Sequence, residues 1–76
     1  MNKVRRQAIA KLEAVVRDLM TEVQKALDEE QEYMDNMPEA LQDGEKYNVA
    51  DEAISSLESA IGSLGEAADS LTEAQN

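Results

Sequence analysis

The second half of the chain carries an unbroken run of apolar residues, and this run constrains the fold more than any other feature. Its members follow one another at steps of three and four residues: Tyr47, Ala50, Ile54, Leu57, Ile61, Leu64, Ala68 and Leu71. Such steps place every member on one face of an α-helix and are typical of helices that pack along their whole length. The pattern therefore predicts a long helix with a continuous heptad seam.

The first half carries a second helical stripe, which is wider. Its predicted seam consists of Ile9, Leu12, Val16, Leu19, Val23, Leu27, Met34 and Met37, and the spacing slips once between Val23 and Leu27. Further apolar residues flank this seam: Val4, Ala8, Val15, Met20 and Ala26. A stripe of this width is more than a two-stranded seam requires, so we expect this helix to contact more than one neighbour.

The two halves are separated near Pro38. Its ring clashes with the preceding helical turn and disfavours helical geometry at Met37, so the first helix should stop before it. We predict a single domain over 1–76, with a first helix at about 3–35, a turn at about 36–43 and a second helix at about 44–73 capped by Asp43. Helices of matched length joined by a short connection predict an all-α antiparallel helical hairpin with coiled-coil-like packing.

The chain is too short for a large core. Of 76 residues, 32 are hydrophobic but 11 of these are Ala, and with no Cys there is no disulfide to compensate. Small globules bury little of their surface and often need a partner. We therefore expect two hairpins to form a four-helix bundle, as a homodimer rather than a hetero-complex or a monomer. The predicted oligomer interface consists of Val15, Met20, Ala53, Ala60 and Ala67.

Two glycines interrupt the second predicted helix. Gly62 and Gly65 each cost about 1 kcal/mol relative to Ala in a helix interior. They either allow a further helix to approach closely or lie on the solvent face.

Net charge limits the classes of partner. Seventeen acidic and seven basic residues give −10, which opposes direct binding to nucleic acid or to an anionic membrane. No apolar run approaches the length of a membrane span. We expect a soluble, cytoplasmic protein whose partner is another protein, either basic or with an apolar groove.

Acidic residues are concentrated around the predicted turn. Residues 28–52 contain ten acids and one base, whereas the first 25 residues have a net charge of +3 and should pair with the acidic end of the second helix. The acids at the turn form a candidate partner-binding tip, which is either functional or a solvated surface. Its members are Glu29, Glu32, Asp35, Glu39, Asp43, Glu45, Asp51 and Glu52.

Other side chains have two interpretations each. Met20, Met34 and Met37 fit either the core or an adaptable binding surface, and we favour the core. Tyr33 and Tyr47 lie near the turn and either anchor an interface or close the end of the bundle.

No constellation in the sequence indicates catalysis. The chain has no His and no Cys, its hydroxyls have no neighbouring base, and it carries no phosphate-binding fingerprint. The stretch around Asp43 and Gly44 lacks the ligand spacing of a calcium loop. We therefore expect no enzyme activity, no cofactor and no metal.

The most distinctive stretch is the turn segment MPEALQDGEKY. The repeats AISSL and AIGSL follow it, and the basic start MNKVRRQAI precedes it. They resemble uncharacterised small acidic two-helix proteins of bacteriophages, prophages and other mobile elements. The matching residues are Pro38, Glu39, Leu41, Gln42, Glu45, Tyr47, Ala53, Ile54, Leu57, Ala60, Ile61 and Leu64. The chain departs from the pattern at Met37, Gly44, Gly62, Gly65 and Ala68. The resemblance implies a phage-related accessory protein and carries no activity with it.

These observations together predict a non-enzymatic protein–protein interaction module, of the phage accessory type, that binds and modulates a host protein. An acidic DNA-mimic inhibitor of a nucleic-acid-binding protein is one alternative. A purely structural oligomerisation module is the other.

Overall fold

The computed structural model describes residues 2–76 and consists of two long helices joined by a short turn. Helix α1 spans Lys3–Asp35, a single 3-10 turn spans Glu39–Leu41, and helix α2 spans Glu45–Glu73. The two helices pack against each other in a hairpin 60 Å long. Residues 2–76 contain no strand, so the predicted all-α helical hairpin is confirmed.

Helix α1 begins with a side-chain cap. The Asn2 side-chain oxygen Oδ1 accepts a hydrogen bond of 2.9 Å from the Arg5 backbone N–H, which satisfies one of the amides left free at a helix start. The first turn of α1 contains no acidic residue and its last turn contains no basic residue. The ionised side chains of α1 are therefore arranged against the helix dipole rather than with it.

The turn is organised around Pro38 and Met37. The Leu41 N–H donates to the Pro38 carbonyl over 2.8 Å, which closes the 3-10 turn. The Gln42 side-chain amide donates to the Met37 carbonyl over 3.3 Å. The Met37 side chain is buried, so the turn has an apolar centre, as the core interpretation of this methionine predicted.

Helix α2 begins one residue later than predicted and without a side-chain cap. Its N-cap is Gly44, so the expectation that Asp43 caps this helix is wrong. The Gly44 N–H donates to the Leu41 carbonyl over 3.0 Å, and a Cβ at Gly44 would lie 3.1 Å from that oxygen. Glycine fits here because it lets the turn fold closely onto the helix start.

The inward face of α2 follows the predicted heptad seam. Ala50, Ile54 and Ala68 are buried, and the other members are half-buried: Tyr47, Leu57, Ile61, Leu64 and Leu71. Ala50, Ile54 and Ala68 together with Met37 are the buried apolar residues among residues 2–76. The core is thin, as the composition predicted.

The inward face of α1 differs from the predicted seam. Leu12 and Leu19, which the sequence placed inside, are 55% and 48% exposed. Glu13 and Met20 are half-buried in their place. The half-buried residues follow one another at alternating steps of four and three residues, which keeps them on one face of the helix without the predicted slip at Leu27. They include Ile9, Glu13, Val16, Met20, Val23, Leu27 and Met34.

Candidate protein–protein interaction surface

Helix α1 leaves a row of large apolar side chains in solvent. Val4 and Val15 are 74% and 63% exposed, and Leu12 and Leu19 belong to the same row. Steps of eight, three and four residues place all four on one face of the helix. This face is about a quarter turn away from the inward face through Val16 and Leu27, because successive residues rotate by about 100°.

Helix α2 adds to the same side of the hairpin. Tyr33, which continues the exposed row of α1, lines one surface depression together with Val49 of α2. Both side chains are about half exposed. Because α2 repeats every seven residues, the side marked by Val49 also carries its alanine row. The combined surface, called the apolar face below, consists of Val4, Leu12, Val15, Leu19, Tyr33, Val49, Ala53, Ala60 and Ala67.

The opposite side of the hairpin is polar. Arg17 Nη2 lies 3.3 Å from Thr72 Oγ1 and 3.8 Å from Asp69 Oδ1 on α2. Thr21 also lies on this side, where a shallow groove is lined by Arg17, Met20, Thr21, Gln24, Lys25, Asp28 and Ile61. This surface is called the polar face. The large exposed apolar side chains of the two helices therefore lie on one side, where Glu22 and Glu30 stand among them, and contacts between polar side chains lie on the other.

Glu13 anchors the open end of the hairpin from within the inward row. Its Oε2 accepts from Arg17 Nε over 2.7 Å, and its Oε1 accepts from Gln75 Nε2 over 2.6 Å. The hydrogen bond from Arg17, followed by that from Gln75, lowers the pKa of the Glu13 carboxyl below its ordinary value. The open ends of the two helices are thus joined by Arg17, in the fifth turn of α1, which lies near Asp69, and by Gln75, just beyond α2, which donates to Glu13.

The predicted interface residues do not all lie on one surface. Val15 is exposed on the apolar face, with Ala67 exposed and Ala53 and Ala60 half-buried on the α2 side. Met20 points between the helices instead, and its Cε lies 3.6 Å from the position a Cβ would take at Gly65. Met20 is therefore a contact within the hairpin.

Leu12 and Leu19 were predicted as core residues but lie on the surface. Both the inward row and the exposed row of α1 consist largely of apolar residues at helical spacing. Hydrophobicity alone therefore does not show to which row Leu12 and Leu19 belong. The distinguishing signal is the separate series Val4, Ala8, Leu12, Val15 and Leu19, whose steps of three and four define a face of their own.

The acidic tip is exposed throughout. All eight predicted members lie at the solvent surface of the turn end. Asp35 accepts a hydrogen bond of 3.0 Å from the Gln31 side-chain amide. The ion pairs of Arg17 are at the other end of the hairpin.

An apolar groove of about 690 Å³ opens beside this tip. Its walls include Tyr33, Met37, Leu41 and the start of α2, and Leu41 is 56% exposed. Lys46, the one basic residue of 28–52, lies at its edge.

Two further kinds of feature are absent from residues 2–76. No helix there is both long enough and apolar enough to cross a membrane. No group of three or more acidic side chains in this part of the chain is arranged to hold a metal ion.

No protein-family model, curated protein or solved structure matches this chain. The resemblance to phage proteins therefore stays a prediction, and the surface properties of the hairpin carry the functional argument.

Proposed function

We propose that this chain is a non-enzymatic protein–protein interaction module that dimerises through its apolar face into a four-helix bundle. In this proposal it serves as a small accessory protein of the phage type and binds and modulates a host protein. The observation that carries the proposal is the one-sided distribution of exposed apolar side chains across the hairpin.

The sidedness has a direct physical consequence. Val15 and Leu19 are large aliphatic residues more than 45% exposed in the middle of a regular helix. Burying apolar surface contributes about 25 cal/mol per Å², and contiguous exposed apolar patches mark interaction sites. A second hairpin that covers this row removes it from water while the polar face stays hydrated.

The size of the surface fits this role. The hairpin is 60 Å long with a second extent of 14 Å, so one lateral face offers on the order of 800 Å². That is about the area each partner contributes to a stable interface of standard size. A pair of hairpins stacked on this face would have the layout of a four-helix bundle.

A pair of charge variants tests the proposal. Val15→Lys places an ammonium group in the middle of the apolar face, and Thr21→Lys places the same group on the polar face of the same helix. We expect Val15→Lys to convert the dimer to a monomer, while Thr21→Lys leaves it intact. Light scattering after size-exclusion chromatography gives the mass, and circular dichroism reports whether the helices persist.

The outcomes separate cleanly. Loss of the dimer in Val15→Lys alone, with helix content retained, supports the apolar face as the binding surface. Equal behaviour of the two variants, or a monomeric wild-type protein, contradicts it.

A DNA-mimic inhibitor is a second candidate because the tip carboxylates are exposed at the end of two rigid helices. Helices hold charges at fixed spacing, as a phosphate backbone does, and such a surface suits a basic groove. If mimicry operates, proteins captured from a bacterial lysate should elute steeply with salt. Capture should also fail when Glu32, Asp35, Asp43 and Glu45 are changed to their amides.

Insensitivity to salt and to these amides would exclude mimicry. A dimer that captures no protein at all would leave the purely structural oligomerisation module as the function.

A further inference from the structure

We propose that the second hairpin docks antiparallel to the first, with the α1 helices face to face and a twofold axis crossing them near Leu19. This inference rests on the proposed dimer and specifies the orientation of its two copies. The occupant of the apolar face is in this account a second copy of the same chain, with its turn at the opposite end.

Charge along α1 favours this orientation. The half of α1 from Lys3 to Leu19 carries five basic and two acidic residues, a net charge of +3. The half from Met20 to Asp35 carries one basic and six acidic residues, a net charge of −5. Two copies of α1 running antiparallel set each positive half beside a negative half, so α1 is complementary to itself.

The parallel arrangement has the opposite effect. It would bring the turns together, and each turn region, residues 28–52, carries a net charge of −9. Like charges gathered in this way repel and lower stability. The antiparallel arrangement instead separates the two turns along the 60 Å length of the hairpin.

The helix itself gains nothing from its charge pattern. Basic residues at the start of α1 and acidic residues at its end oppose the helix dipole. The pattern therefore suits pairing with complementary charges, both on α2 of the same hairpin, where Arg17 lies 3.8 Å from Asp69, and on a second antiparallel copy of α1.

The exposed row of α1 has its centre where the charges change sign. Leu19 is the midpoint of Lys3–Asp35 and lies between Val4 and Tyr33, the two ends of the exposed apolar row. A twofold axis at this point sets Leu19 against Leu19 of the second copy. It also brings Leu12 opposite Ala26 and Val4 within one turn of Tyr33, so apolar residues meet at the centre of the row, at both ends and at Leu12.

Single cysteines test the orientation directly, because the chain has no Cys of its own. Leu19→Cys places a thiol at the proposed axis, Asp43→Cys places one at the turn, and Thr21→Cys serves as a control on the polar face. Each purified variant is first confirmed as a dimer under reducing conditions, and is then treated with a short bifunctional thiol reagent. Denaturing gel electrophoresis measures the fraction of covalent dimer.

We expect Leu19→Cys to become mostly covalent dimer and the other two variants to stay at the level of reagent-free samples. Cross-linking of Asp43→Cys, or failure of Leu19→Cys to cross-link in a dimeric sample, overturns the antiparallel orientation and leaves the dimer standing. A monomeric wild-type protein overturns both. If Leu19→Cys alone is monomeric, a spin label on Asp43→Cys decides instead, through the distance between the two labels of a dimer. A distance near the length of the hairpin supports the proposal, and a short distance overturns it.

Discussion

The three glycines of the hairpin have different surroundings, and these decide what each residue contributes. A Cβ at Gly62 would meet no neighbouring atom, and one at Gly65 would make an ordinary contact with Met20. Gly44 is different, because a Cβ there would press on the Leu41 carbonyl oxygen, which is a backbone atom. The two helical glycines are thus a cost in backbone entropy, whereas a Cβ at Gly44 would make the turn shift.

We therefore predict that Gly62→Ala stabilises the protein by about 1 kcal/mol, the difference in helix propensity between the two residues. Chemical denaturation measures the free energy of unfolding. Gly44→Ala is the matched control and should give no gain or a loss. A gain for Gly44→Ala equal to that for Gly62→Ala would contradict the close approach at the turn.

Glu13 makes stability depend on pH in a defined direction. The hydrogen bonds from Arg17 and Gln75 lower the pKa of its carboxyl in the folded state, so the folded protein favours the ionised form. Its contribution is fully present above the pKa of the unfolded chain and is lost as the pH falls through the lowered folded pKa. Acid should remove this contribution.

We predict that Glu13→Gln melts at a lower temperature than wild type at neutral pH and that the difference shrinks in strong acid. Thermal unfolding of both proteins from neutral pH to strong acid measures the difference in melting temperature. Because both proteins carry the other carboxylates, the effects of these groups cancel in the difference. A difference that stays constant or grows toward acid would show that the ionised carboxylate is not what matters.

The residue scale also shows where the sequence was insufficient. The interface prediction placed Met20 on the outside and the seam prediction placed Leu19 on the inside. The structure exchanges them, which agrees with the core interpretation of Met20. The Met20 Cε faces Gly65 of α2, at 3.6 Å from the position that a Cβ would take there. Which residue faces a glycine 45 positions away is a property of the packed pair, and the pattern of one helix does not contain it.

At the scale of the elements, the inward face of α2 is the main source of cohesion. Ile54 is the largest buried side chain of this helix and is 5% exposed. We predict that Ile54→Ala destabilises the protein by about 2–5 kcal/mol, through lost burial and the cavity left behind. Leu41→Ala, at a side chain 56% exposed, should cost much less. Urea denaturation compares the two, and equal losses would place the core elsewhere.

The helices themselves were predictable. Their bounds agree with the prediction within a residue, because Pro38 stops one helix and the apolar periodicity marks the other. The start of α2 was not predictable from cap preferences alone. Asp43 has the right chemistry for a cap, but the 3-10 turn hydrogen-bonds Gly44 to Leu41 and makes the glycine the N-cap.

At the scale of the whole molecule, the hairpin combines a thin core with two unlike sides. Polar contacts of Arg17 join the helices on the polar face, while Val15 and Leu19 stay exposed on the apolar face. The sequence indicated that the hairpin alone would leave apolar surface in water. It did not indicate that this surface lies on one side, because that depends on how the two helices are rotated against each other.

The mass of the wild-type protein in solution tests the central claim most directly. Sedimentation equilibrium at tens of micromolar chain distinguishes one hairpin from two without labels or variants. Association through the apolar face predicts about twice the 8.4 kDa of the chain, decreasing toward one chain on dilution. A mass of 8.4 kDa throughout this range, with a single cooperative unfolding transition, would show that the exposed row on α1 is stable in water and would contradict the account.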